Sequence, residues 1–238
     1  RQILDHLLHD VFRGDQTTHP IVDLVLEPDP SCEQQTAVLG EFGFRDIGAA
    51  YEHLIDLANE RIPFLSSRRC RHFLAGISPQ LLRAIADTPD PDATLANLRH
   101  VSDSLGGKGV LWEDFSLSPA SLELYVRLCA TSPYLSGILT GNPGMIDELM
   151  DSLVLDRLPE VDTLRRQLDE LCRGAQHLRP ILQSFKSSRH LLVGVRDILG
   201  KDDIRNKTAA LADIAESCLQ QIVLHEYQRL AQRYGYPA

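Results

Sequence analysis

The residues in this sequence able to do chemistry lie in short, scattered clusters. Asp5-His-Leu-Leu-His-Asp10 sets His6 and His9 one helical turn apart with carboxylates beside them, near enough to share a metal ion. Metal sites usually take three or more ligands, and no second cluster supplies the rest; a solvated helix face is the simpler reading. The loop Ser104-Leu-Gly-Gly-Lys-Gly-Val110 offers glycines that let backbone amides approach an anion, with Lys108 adding charge. A P-loop, however, needs G-x-x-x-x-G-K-[ST] after a buried strand. Here Gly109 follows Lys108 and the preceding segment is polar and helix-like, so a helix C-cap and turn competes with phosphate binding.

Arg68, Arg69, Arg71 and His72 form a basic cluster near Cys70 that could receive an acidic partner or a phosphate, or could simply be solvated on the first turns of a helix. The pairs Glu113-Asp114 and Asp202-Asp203 could bind a divalent ion but have no neighbouring ligands at fixed spacing. Met145-Ile146 with Leu149, Met150 and Leu153 has the spacing of a partner-binding face, which is equally the spacing of a packed core. No Ser-His-Asp or Cys-His arrangement is legible locally. No residue is assigned as catalytic, cofactor-binding or metal-ligating, and no cofactor is expected in this chain.

The elements that would position these groups are helices. Ile47, Ala50, Tyr51, Leu54, Leu57 and Ala58 recur at steps of three and four behind Asp46, predicting a capped amphipathic helix over 46–59. Leu178, Ile181, Leu182, Phe185, Leu192, Val195 and Leu199 predict a second, from His177 to a stop at Gly200. A third, from about Asn206 to Tyr234, sets Leu211, Ile214, Cys218, Ile222, Leu230 and Tyr234 against a polar side. At 1.5 Å per residue it spans roughly 40 Å, enough to couple two modules. Ser78-Pro79, Asp90-Pro91, Ser118-Pro119, Ser132-Pro133 and Asn142-Pro143 read as starts of shorter helices, because proline suits the first helical turn. Ile21-Val-Asp-Leu-Val-Leu26, between Pro20 and Pro28, is the one strand signal and reads as an extended linker or isolated strand.

The expected fold is all-α, a multi-helix bundle array with a long C-terminal connecting helix. Residues 1–32 read as the end of an upstream helical module plus a linker. Residues 33–158 read as a helical domain and 159–238 as helices leading onward, with one domain over 33–238 as the alternative. Both ends read as cuts in a longer polypeptide. The formal net charge of -9, with no long basic run, argues against nucleic acid and anionic membrane surfaces as partners. Five well-separated cysteines without a C-x-x-C pair suit free thiols in apolar positions and a reducing cytoplasm. No apolar run approaches the roughly 20 residues that span a bilayer.

Several stretches, in order, resemble one family. Phe64-Leu-Ser-Ser-Arg-Arg69 is followed by Asp87-Thr-Pro-Asp-Pro-Asp-Ala93. Then comes Ser132-Pro-Tyr-Leu-Ser-Gly-Ile-Leu-Thr-Gly-Asn-Pro-Gly-Met-Ile-Asp-Glu-Leu149, the most specific piece. Together they resemble the region between the two catalytic halves of bifunctional glutamine synthetase adenylyltransferase/adenylyl-removing enzymes. Phe185-Lys186, Val195-Arg-Asp-Ile-Leu199 and Arg233-Tyr-Gly-Tyr-Pro237 resemble the helices leading into the second half.

The resemblance implies a parent with two nucleotidyltransferase halves, one adenylylating and one deadenylylating. In each, a Gly-rich turn and a Ser-Asp-x-Asp strand hold ATP or phosphate through magnesium. It further implies glutamine synthetase and PII signal proteins as partners, in nitrogen-assimilation control. Ser102-Asp-Ser104 departs from the catalytic pattern: it precedes a Gly-rich stretch, and no aspartate lies two residues beyond Asp103. The expected role is a connecting or regulatory segment without catalytic residues of its own. Two alternatives stand beside it: a stand-alone helical adaptor or scaffold, and a helical phosphohydrolase using His6, His9 and Asp10.

Overall fold

A computed structural model of the protein describes residues 19–27, 29–62, 65–147 and 157–236. Among the described residues there are eleven α-helices, two 3-10 turns and no strand. They are α1 Pro20–Leu26, α2 Cys32–Leu39, α3 Ile47–Ala58, α4 Ser67–Ala86, α5 Pro91–Leu105 and α6 Lys108–Leu117. There follow α7 Pro119–Thr131, α8 Pro133–Gly141, α9 Val161–Cys172, α10 Leu178–Ile198 and α11 Ile204–Tyr234.

Short polar residues set most of the starts. Asp46 accepts from the Ala49 amide at 3.0 Å, and Asp90, Ser132 and Asp203 cap α5, α8 and α11 in the same way. Ser31 and Gln34 form a reciprocal capping box on α2. The prolines at 91, 119 and 133 occupy first turns, whereas Asn142-Pro143 opens a 3-10 turn, Pro143–Met145.

Two expectations about local structure fail, each for a definable reason. Ile21–Leu26 is helix α1, with Ile21, Leu24 and Val25 buried. Those three positions are i, i+3 and i+4, a helical stripe too short to distinguish from an extended run by pattern alone. Pro79 starts nothing; it lies inside α4, which begins behind Ser66. Proline cannot donate to the carbonyl four residues back, so Ala75 would lose its partner. The buried Ser78 hydroxyl donates to that oxygen at 2.8 Å and repairs the ladder.

Helices α1–α8 enclose a large apolar core in which the rings of Trp112, Phe115 and Tyr125 pack at 5.9 and 5.2 Å between centroids. Leu164 and Leu168 of α9, Phe185 and Val193 of α10 and Ile214 of α11 form a second, smaller core. Helix α10 serves both, because its Leu191 and Val195 lie in the large core. It is pinned there by Arg127, which donates to the Ile198 carbonyl at 2.5 Å, and by Tyr134, hydrogen-bonded to His190 at 2.7 Å. Gly194 permits the approach: a Cβ there would stand 2.5 Å from Leu135 of α8.

Helix α11 is 31 residues long, roughly 46 Å, and confirms the long final helix. Its expected single apolar face is not uniformly buried. Ile214 is buried, but Leu211, Ile222, Leu230 and Tyr234 are exposed. The twelve residues of α9 cover only part of its length.

Candidate functional site

The Gly-rich turn is a helix junction whose anion is already supplied by the chain. Gly106 and Gly107 take φ of 64° and 76°, ending α5 and turning into α6. The first amides of α6 face the Glu60 carboxylate: Lys108 N donates to Oε2 at 3.2 Å and Gly109 N to Oε1 at 2.7 Å. A phosphate would have to displace this carboxylate, so the turn serves as a helix junction and not as a phosphate seat. Gly109 is close-packed as well, since a Cβ would meet the Cys70 backbone at 3.3 Å.

Lys108 itself is only 2% exposed. Its Nζ donates to Asp103 Oδ1 at 2.9 Å and to the Asp56 carbonyl at 2.6 Å. Arg61 reaches the other Asp103 oxygen at 2.7 Å. Two cations thus share the Asp103 carboxylate, while the Glu60 carboxylate is met by the first amides of α6. The cluster also solves a problem in α3, whose last carbonyls have no partner within the helix. Leu57 O receives the Trp112 indole at 3.1 Å and the Cys70 thiol at 3.3 Å, and Asp56 O receives Lys108. The group therefore caps α3 with side chains from α4 and α6. Burial is also what pushes the Cys70 thiol up to about 11.

The other candidates are likewise occupied structurally. Ser102 shares a hydrogen bond with the buried Tyr125 hydroxyl at 2.9 Å. In the basic cluster, Arg69 pairs with Glu113 and lies over the Phe73 ring, while Arg71 reaches Asn59. Asp202 accepts from Arg196 at 2.5 and 3.0 Å, a bond that holds its carboxyl below the usual carboxylate range, and Asp203 caps α11. Among the described residues no group of three or more His, Cys, Asp or Glu could hold a metal ion. Met145 is in the large core and Ile146 packs on it. Leu149, Met150 and Leu153 lie outside the described residues, as do His6, His9 and Asp10. All five cysteines are free. Cys70 and Cys129 are buried, but Cys32 is exposed, contrary to the expectation of apolar surroundings. No described helix is long and apolar enough to cross a membrane.

An open cleft of about 670 Å³ lies between the start of α10 and the second half of α11. Leu178, Leu182, Cys218 and Ile222 contribute apolar surface to it, and Arg179, Lys186 and Arg229 contribute charge. Sequence reasoning missed it, because its two sides lie about forty residues apart in the chain. Glu60, Asp56 and Arg61 were missed for the same reason.

Residues 122–238 match the glutamate-ammonia ligase adenylyltransferase family. The chain is 31% identical over 214 residues to the bifunctional glutamine synthetase adenylyltransferase/adenylyl-removing enzyme of Thioalkalivibrio sulfidiphilus, covering 88% of this chain and 22% of that protein. It is 27% identical to the proteins of the same name from Xanthobacter autotrophicus and Pseudomonas aeruginosa, covering 90% and 86% of this chain and 22% and 21% of theirs. The chain thus spans about a fifth of the length of these relatives. No solved structure matches it. With the family match over residues 122–238 and relatives aligned over 86–90% of its length, the chain belongs, as a segment, to the glutamate-ammonia ligase adenylyltransferase family.

Proposed function

We propose that the chain is the central, non-catalytic helical segment of an enzyme that adenylylates and deadenylylates glutamine synthetase, joining the two nucleotidyltransferase halves. On this reading ATP and magnesium belong to the flanking halves, glutamine synthetase is the protein substrate, and PII signal proteins are the effectors. A unit of residues 33–158 and a unit of residues 159–238 divide the segment near Pro159. The observation that carries the reading is that α10 packs into two cores at once, through Leu191 and Val195 on one side and Phe185 and Val193 on the other. A helix shared in this way transmits a displacement of one core to the other, because packed interfaces shift between discrete arrangements. An effector that favours one arrangement then biases the opposing activities.

Gly194 provides the test, since any side chain there meets Leu135 at the contact between α10 and α8. In the full-length enzyme, Gly194→Ala should change the ratio of adenylylation to deadenylylation at fixed effector concentration. Adding Leu135→Ala should move that ratio back. An unaltered ratio and effector response in a folded Gly194→Ala enzyme would reject coupling through α10. A stand-alone adaptor would instead lack nucleotidyltransferase modules in its flanking coding sequence.

A further inference from the structure

We propose that the cleft between α10 and α11 is a docking groove for an acidic amphipathic helix of a protein partner. The two helices run antiparallel here: Lys207 pairs with Asp197 at one end, while residues 176–186 face 218–229 at the other. Leu178 and Leu182 on α10 and Cys218 and Ile222 on α11 are each i, i+4 pairs, so the floor is an apolar furrow along both helices. A helix laid in such a furrow inserts its own i, i+4 side chains.

The rim specifies the charge of the occupant. Arg179, Lys186 and Arg229 face a single carboxylate, Glu226, in a chain whose net charge is -9. Arg229 is held by Glu226 at 2.7 Å, whereas neither Arg179 nor Lys186 has an ion-pair partner among the described residues. The start of α10 adds to the field, because His177 makes no side-chain cap and the first-turn amides carry partial positive charge. Arg179 and Lys186 are seven residues apart, on one face of α10 and about 10 Å from each other. One carboxylate cannot meet both. Acidic residues two turns apart on a partner helix match them, with apolar residues between. The rim therefore favours a helix over a small organic anion. This inference stands apart from the coupling role of α10, and either can fail without the other.

The test uses the full chain and a fluorescein-labelled synthetic 18-residue helix with leucine at i, i+4 and glutamate at i, i+7. Its counterpart with lysine at each glutamate serves as the control. Fluorescence anisotropy should show saturable binding of the acidic peptide only. Lys186→Glu should weaken it by about tenfold or more, since attraction becomes repulsion in the groove. Ile222→Glu should weaken it on the floor, whereas Arg205→Glu, at the far end of α11, should leave it within about twofold. Hydrogen exchange should place protection on residues 178–186 and 218–229. No binding, equal binding of the basic peptide, or indifference to Lys186→Glu would overturn the proposal. So would saturation of the cleft by 8-anilinonaphthalene-1-sulfonate with no peptide competition, which would make it a pocket for small organic anions.

Discussion

Replacing Lys108 with methionine removes the centre of the buried ion cluster while preserving most of its apolar volume. Asp103, whose side chain is 7% exposed, then keeps only Arg61, and the Asp56 carbonyl at the end of α3 keeps only the Asn59 amide, at 3.3 Å. Breaking a buried pair by deleting one partner costs about 3–5 kcal/mol. Arg61 is two-thirds exposed and can still compensate Asp103 through solvent-screened contact, which sets the expectation at the lower end, about 3 kcal/mol. At about 2–4 °C per kcal/mol for a chain of this size, the midpoint should fall by about 6–12 °C. Trp112, the only tryptophan, is fully buried one turn from Lys108, so its fluorescence during urea unfolding reports the core that contains the cluster. Asp103→Leu alone should cost a similar amount, because it strands the Lys108 ammonium. The double variant Lys108→Met with Asp103→Leu should lose far less than the two single losses combined, since neither charge is then orphaned. Additive losses, or a Lys108→Met loss below about 1 kcal/mol, would refute the claim that this lysine is a buried structural counter-ion.

Ser78→Ala should destabilise by about 1–2 kcal/mol by orphaning the buried Ala75 carbonyl. Pro79→Ala in that background should recover most of the loss in urea titration, because it restores the missing amide. Gly194→Ala should cost about 1 kcal/mol net, overpacking at Leu135 outweighing the helix gain, while Gly137→Ala, with open space around it, should stabilise by several tenths. Burial pushes Cys70 up to about 11 and Cys129 to about 12, from an ordinary 9.0. Their folded forms hold protons that the unfolded chain releases, so stability is complete below pH 9 and declines as pH rises through 11–12. Chemical denaturation from pH 8 to 12 checks this, and at pH 8 a thiol reagent should label Cys32 well before either buried cysteine.

Helical class, the capped starts at Asp46, Asp90 and Ser132 and the long final helix were all legible in the sequence. Each depends on residues within about four positions of one another, where spacing and capping chemistry act directly. The family was legible too, through motifs whose order survives without any knowledge of contacts. Local pattern failed where a local signal has two solutions. Ser-Pro opens a helix at 118–119 and 132–133, but within α4 its serine repairs the bond its proline breaks; packing on both sides of residue 79 decides which. Only the tertiary structure could show that Glu60 fills the anion seat of the Gly-rich turn, since the two lie 48 or more residues apart. The same holds for α10 as the element common to two cores, and for the exposed distal face of α11. Its apolar stripe is continuous in sequence, but burial depends on which partners reach it, and α9 ends before the stripe does.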